Sequence, residues 1–185
     1  MNLQPFLENH ILTARPLLES DFQILFEAAS DPLIWEQHPN KNRFQLDVFR
    51  NFFDHAIVSK GALIIMDKNS GMVIGSSRFY NLDLSDSSIF IGYTFFKCAF
   101  WGGKYNYSIK ALMLDYAFQF LNKVYFHIGK YNLRSQKSIE RLGAIFQKEI
   151  EMAYAGEQVN PNFEYLISKD RWPELRKNIE NYLQN

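Results

Sequence analysis

The chain has 185 residues, 47% hydrophobic and 16% aromatic, a make-up that suits one globular domain and excludes a disordered chain. Twenty Lys+Arg balance twenty Asp+Glu, so no strong non-specific pull on nucleic acid or an anionic membrane is expected. A single cysteine, Cys98, excludes an internal disulfide; with no apolar run of spanning length and no signal-like start over 1–9, the expected setting is cytoplasmic.

Residues 10–18 alternate weakly and predict a first strand. Ser20 with Gln23 makes a capping-box pattern, predicting a helix from Asp21 to about Ala29 that Asp31-Pro32 breaks. An irregular piece follows through Trp35, Glu36, Gln37, His38 and Pro39. Val48, Phe49, Phe52, Phe53, Ala56 and Ile57 recur at helical spacing and predict a second helix over 46–58, stopped by Gly61. Strands are predicted over 62–66, 72–80 and 89–96, with turns at 69–71 and 83–87. A helix over 107–121 and a buried strand over 124–128 come next. Asn132 caps another helix, which ends at Leu142-Gly143. Strands over 145–154 and 163–168 and a helix after Pro173 complete the chain. The strand–helix–strand unit in the middle implies a parallel crossover inside a mixed sheet. The fold class is therefore α/β or α+β, as one domain over 1–185.

The most informative segment is Phe100-Trp-Gly-Gly-Lys-Tyr-Asn-Tyr-Ser108, between a strand and a helix start. Gly102 and Gly103 let the backbone turn tightly and aim amides at one point. The helix that follows adds free N–H groups and a positive dipole end, and Lys104 adds a charge. Together these suit a phosphate or pyrophosphate. The plain alternative is a strand-to-helix turn, and the spacing matches neither a Walker loop nor the three-glycine dinucleotide pattern.

Ile91-Gly92-Tyr93, Trp101-Gly-Gly-Lys-Tyr-Asn106, Met113-Leu-Asp-Tyr-Ala-Phe118 and Asn132-Leu-Arg-Ser-Gln-Lys-Ser-Ile-Glu-Arg-Leu-Gly143 together resemble the GNAT (GCN5-related) N-acetyltransferases. The likeness runs over 12–169 and is greatest to the branch containing the ribosomal-protein N-terminal acetyltransferases. It implies the GNAT acyl-CoA N-acyltransferase fold, a mixed, mostly antiparallel twisted sheet flanked by helices. It also implies acetyl-CoA as cosubstrate, with no metal. By the resemblance, Trp101, Gly102, Gly103, Lys104, Tyr105 and Asn106 form the loop whose amides hold the coenzyme A pyrophosphate. Asn132 and Ser135 contact the coenzyme, and Tyr93, Thr94 and Phe95 bind its pantetheine arm. Ser138 reads as a further contact or as a surface helix residue. The pattern departs at Lys104 and Asn106, where the family carries Gly and Gly or Ala.

Transfer of an acetyl group to an amine requires a base for the amine, polarisation of the thioester carbonyl and a proton for the departing sulfur. Many relatives place a Glu two residues before the Gly of Ile-Gly-Tyr; here that position is Phe90. The expected catalytic residues are Glu36 and His38, in the region that lines the acceptor site of relatives, together with Tyr93. His38 has a suitable intrinsic pKa and reads equally as a surface loop histidine. His127, in an apolar strand, reads as a core histidine; Tyr131 matches the acidic tyrosine of relatives only loosely, and Cys98 reads as inert. The expected partners are acetyl-CoA and a primary amine, of a small molecule or a protein N-terminus, with no nucleic acid or membrane. The protein is expected as a monomer or homodimer. The alternative, which Phe90 favours, is a catalytically weak or inactive acyl-CoA-binding regulatory module.

Overall fold

The computed structural model describes residues 1–154 and 157–184. The first strand is two pieces, β1 (Leu7–Glu8) and β2 (Leu12–Pro16). Asn9 divides them, because its side-chain oxygen accepts from the amides of Ile11 and Leu12 at 2.8 and 3.0 Å. Helix α1 (Phe22–Ala29) follows a single 3-10 turn. Its start is not secured by the Ser20–Gln23 pair. Asp21 does this instead, accepting from the Leu18 amide at 2.9 Å while Arg15 grips both of its oxygens at 2.7 Å.

Helix α2 (Leu46–Ser59) buries Phe49, Phe52, Phe53 and Ala56. It ends on Lys60, which takes the left-handed conformation at φ 48°. Gly61 is therefore not the stop but a packing necessity: a Cβ there would lie 2.0 Å from the Phe79 carbonyl oxygen.

Strands β3 (Ala62–Asp67), β4 (Val73–Asp83), β5 (Ser88–Phe96), β6 (Lys123–Gly129), β7 (Ile145–Ala153) and β8 (Val159–Ser168) join the first two in one sheet ordered β1-β2-β3-β4-β5-β6-β8-β7. Neighbours are antiparallel except β5 and β6, which are parallel, as a crossover through a helix demands. That helix, α3 (Lys104–Ala117), starts about a turn before its apolar stripe. Its first turn is polar and bonds Asp67 and Ser138, so hydrophobic spacing does not announce it. Helix α4 (Leu133–Arg141) follows β6, and α5 (Trp172–Gln184) closes the chain. Among the described residues no helix is long and apolar enough to cross a membrane.

Because side chains alternate along a strand, the sheet carries two cores. Ile65, Ile74, Phe79, Ile89 and Ile91 pack with Ile109, Met113 and Ala117 on one face. Ile64, Val73 and Phe95 pack with Leu25, Phe49 and Phe53 on the other.

Two irregularities then open the sheet. β5 and β6 pair only at Ser88–Lys123, Ile89–Val124 and Phe90–Tyr125. Between β4 and β5 the register moves from Ser76–Phe95 to Arg78–Gly92, leaving one extra residue on β5. This is a β-bulge, and Tyr93 within it sits at φ 53°, a left-handed conformation that side chains other than Gly rarely take.

Gly75 stands opposite the end of that bulge, where a Cβ would come 2.0 Å from the Phe95 carbonyl oxygen. Gly75→Ala is expected to cost roughly 2–4 kcal/mol of stability, because backbone must give way on both strands. Urea unfolding checks this; an unchanged midpoint would show that the bulge yields without cost.

Candidate active site

Where β5 leaves β6, a cleft of about 230 Å³ opens between them. Ile91 to Phe96 form one wall and Phe126 to Gly129 the other, with Trp35 and His38 closing one end and the loop after β5 at the mouth. Of the residues expected from the sequence, the cleft brings together His38, Tyr93, Thr94, Phe95, Trp101, Gly102, Gly103, Asn106, Asn132 and Ser135. It does not bring in Glu36 or Lys104, which are exposed and outside its lining. Tyr105 also lies outside the lining; its hydroxyl donates to Asp67 at 2.9 Å. Tyr131 is 76% exposed and outside the lining.

At the mouth, Gly102 and Gly103 both take φ 109°. Tyr182 of α5 donates to the Gly102 carbonyl at 3.1 Å, and a Cβ at Gly103 would meet that hydroxyl at 2.6 Å. The loop is thus held in a shape that only glycine fits at 103. Trp101 donates from its indole to the Phe96 carbonyl at 3.0 Å, and the Arg134 guanidinium lies 4.0 Å over its ring. Asn106 donates to Ser138 at 2.8 Å, tying the first turn of α3 to α4. Asn132 accepts from the Ser135 amide at 3.1 Å and is the cap of α4. Two helix N-termini therefore face one opening, which favours anions. Arg134, Lys137 and Arg141 line an adjoining groove with Tyr107 and Tyr182. The basic row is readable in the sequence as Arg-x-x-Lys-x-x-x-Arg, one face of a helix.

The inner end joins His38 and His127 to residues that sequence reasoning missed: Arg43, Glu157, Glu164 and Lys110. Arg43 is 1% exposed. Its Nε donates to Glu157 at 2.8 Å, and its Nη2 donates to the same oxygen. Its Nη1 stands 3.1 Å from His38 Nε2. Burial, and then the charge of Arg43, push His38 well below the usual 6.5. His38 is therefore inside the site and neutral, but a proton gained there would set cation against cation.

The side chain of His127 is buried and hydrogen-bonded, as expected of a core histidine, and it also lines the cleft. Its Nε2 is 3.0 Å from Glu164 Oε2, and its Nδ1 is buried without a partner. With Nε2–H donated to the carboxylate, Nδ1 is left as the acceptor. Burial holds the imidazole below 6.5, opposed by Glu164, so it is neutral at pH 7. Its ring centre lies 4.4 Å from that of Phe90.

Lys110 also lines the cleft, although 5% exposed and flanked in α3 by Ile109 and Ala111. Its ammonium donates to Thr94 Oγ1 at 2.6 Å, an oxygen shared with Ser77 at 2.8 Å. Burial pulls its pKa to about 7. Cys98 goes the other way, to about 11 with burial as the main cause, so its thiol is no nucleophile at neutral pH. Among the described residues no group of three or more His, Cys, Asp or Glu is placed to hold a metal.

A family model described as an acetyltransferase (GNAT) domain matches residues 12–145. No curated protein matches the chain. Solved structures similar to it include a GCN5-related N-acetyltransferase from Brucella melitensis, with TM-score 0.85 and 18% identity over 97% of this chain and 86% of that one. A GNAT-family acetyltransferase from Bacillus anthracis gives 0.72 and 18% over 90% and 99%. A ribosomal-protein-S5-alanine acetyltransferase from Vibrio fischeri gives 0.66 and 15% over 91% and 98%. These structural likenesses show the shared fold.

The buried amine of Lys110 has a consequence for stability. Unfolded, it titrates near 10.4; folded, at about 7. Between those values the unfolded chain binds the extra proton, so stability rises with pH across that window, and below it the full penalty is present. Lys110→Met is expected to be more stable than the wild type near pH 7, by up to about 4 kcal/mol less the lost hydrogen bond to Thr94, with the gap closing toward pH 10. Urea unfolding at pH 7 and 9.5 checks this; wild-type stability flat across the window would mean that the amine is not held neutral by burial.

Proposed function

The chain belongs to the GNAT acetyltransferases, and from that premise we propose that it moves an acetyl group from acetyl-coenzyme A to a primary amine of a small molecule or protein N-terminus. The observation that carries this reading is the parting of β5 from β6 after three residue pairs. Beyond Phe90 the β6-facing edge of β5 has lost its neighbour, and free backbone N–H and C=O groups there suit an extended arm that itself carries amides. Pantetheine is such an arm. The mouth suits the rest of the coenzyme: the 101–106 loop and the start of α3 for the pyrophosphate, and Arg134, Lys137 and Arg141 for the nucleotide phosphates.

Acetyl-CoA, when bound, supplies the acyl group activated as a thioester. The bulge at Tyr93 turns backbone groups of β5 out of the ladder, so that an amide is free to polarise a carbonyl. Lys110 holds Thr94 at the same place by donating to its Oγ1 at 2.6 Å. His127 takes the proton from the amine at Nδ1, and Glu164 steadies the resulting cation through Nε2–H. In this reading the histidine of β6 does the work that many relatives assign to a Glu at the position of Phe90. Glu36 has no part in it, His38 orients Arg43, and Tyr93 shapes the throat. The lone thiol, not activated, accords with a reducing, cytoplasmic setting.

Titration calorimetry with acetyl-CoA, followed by thiol release across a panel of amines, tests the reading. His127→Asn is expected to lower kcat about 100-fold while leaving acetyl-CoA affinity unchanged. Absence of acetyl-CoA binding would overturn the donor assignment. Binding without thiol release on any amine would favour the regulatory module instead.

A further inference from the structure

Four buried side-chain atoms have no hydrogen-bond partner among the described residues around the inner end of the cleft: Arg78 Nε, Tyr80 Oη, His127 Nδ1 and Glu157 Oε2; of these residues His127 lines the cleft itself, and Arg78 stacks on Tyr93, which lines it too. Folded proteins leave few such atoms, and each calls for a cause. These belong to one patch. The Arg78 guanidinium lies 4.0 Å over the Tyr93 ring. That ring meets Tyr80 and Tyr154, each at 5.2 Å between centres. Tyr80 lies 6.5 Å from His127, and Arg43 lies 5.9 Å from Tyr154.

The charges in the patch do not balance. Arg43 and Arg78 are both buried, at 1% and 4% exposure. Glu157 answers Arg43 alone. Among the described residues Arg78 has no carboxylate and no hydrogen-bond acceptor, only the aromatic faces of Tyr93 and Phe52. Burial lowers its pKa only to about 10, so it remains a cation at neutral pH. A buried guanidinium without an anion is costly. Stacking occupies the face of the group, while its in-plane Nε–H has no acceptor among the described residues; the in-plane edge is the one by which Arg grips a carboxylate.

We infer that the acetyl acceptor is an amine that also carries a carboxylate, with the carboxylate paired to Arg78 beside Tyr93 and the amine turned toward His127 and Glu157 Oε2. This rests on the acetyltransferase reading. In the transfer the amine nitrogen bonds to the acyl carbon, the carbon–sulfur bond breaks, and the proton released by the nitrogen passes through His127 to end on the sulfur.

The test reads binding, independently of turnover. Wild type, Arg78→Gln and Arg78→Lys are titrated with N-acetyl amino acids and with their methylamides, and with acetyl-CoA in parallel. At least one free carboxylate is expected to bind ten times or more tighter than its methylamide. Arg78→Gln is expected to erase that preference and Arg78→Lys to keep part of it, both with acetyl-CoA affinity intact. A second arm uses peptides acetylated on an N-terminal Asp or Glu; tighter binding there assigns the carboxylate to a peptide side chain, and weaker binding to a free amino acid. No carboxylate binding, or amides binding as tightly, overturns the inference. Should Arg78→Gln fail to fold, the wild-type comparison and Arg78→Lys decide it. Failure of the wild type to bind acetyl-CoA would strike the acetyltransferase reading, which the carboxylate comparison does not touch.

Discussion

The parallel contact between β5 and β6 is the constraint from which the site follows. A parallel pair requires a crossover, and here the crossover is α3. Both strands therefore end at the same edge of the sheet, and the helices that follow them, α3 and α4, begin there side by side. Gly103 and Asn132 stand at those two starts. Had the pair zipped along its whole length, the edge of β5 would be satisfied and no cleft would exist. It stops at Phe90–Tyr125, where two rings stack at 5.2 Å and act as a wedge at the fork. Just beyond, the bulge at Tyr93 interrupts the ladder that β5 makes with β4 on its other side. A pocket with two positive helix ends at its mouth and free backbone along its wall is the geometric result.

Much of the fold was legible because it is written in periodicity. The stripe from Val48 to Ile57 predicts a helix, and α2 runs Leu46–Ser59. The change of period after Phe96 predicts a crossover, and β5 and β6 are parallel. What escaped depends on partners far along the chain. Nothing local tells that Tyr93 adopts φ 53°; its conformation is imposed by the register between β4 and β5. Gly61 looked like a helix stop because glycine often is one, yet its reason is the carbonyl of Phe79 on the next strand. Asp21 displaced Ser20 as the anchor of α1 because Arg15, on the preceding strand, could reach it.

The site divides along the same line. The glycine loop and the Asn132 cap are local devices, each working within a few residues, and the sequence displays them. The inner end is assembled across long separations: Arg43 with Glu157 is 114 residues apart, and His127 with Glu164 is 37. Lys110 was hidden differently. A lysine in a helix is by default a surface residue, and only the packing of α3 on the sheet shows that its amine points inward to Thr94. Phe90 illustrates the hazard of reasoning from one position. Its aromatic side chain suggests a lost base, whereas its neighbour on the adjoining strand is a histidine held by a carboxylate.

Desolvation gives the inner end a common logic. It is the largest cause acting on His38, Arg43, Arg78, Tyr80, Tyr93, Lys110, His127 and Tyr154, and each of them moves toward its neutral form. The histidines are thereby kept as acceptors and the tyrosines as donors at neutral pH, whereas guanidinium pKa values start so high that Arg78, at about 10, stays charged. Of these groups, Lys110 at about 7 is the one poised to change charge under physiological conditions. A low-dielectric pocket of neutral donors and acceptors, beside the Arg78 cation for which no carboxylate stands among the described residues, discriminates against ligands that bring no anion, because the cost of that buried charge is returned only when one arrives. The two apolar cores on either face of the sheet offset that cost.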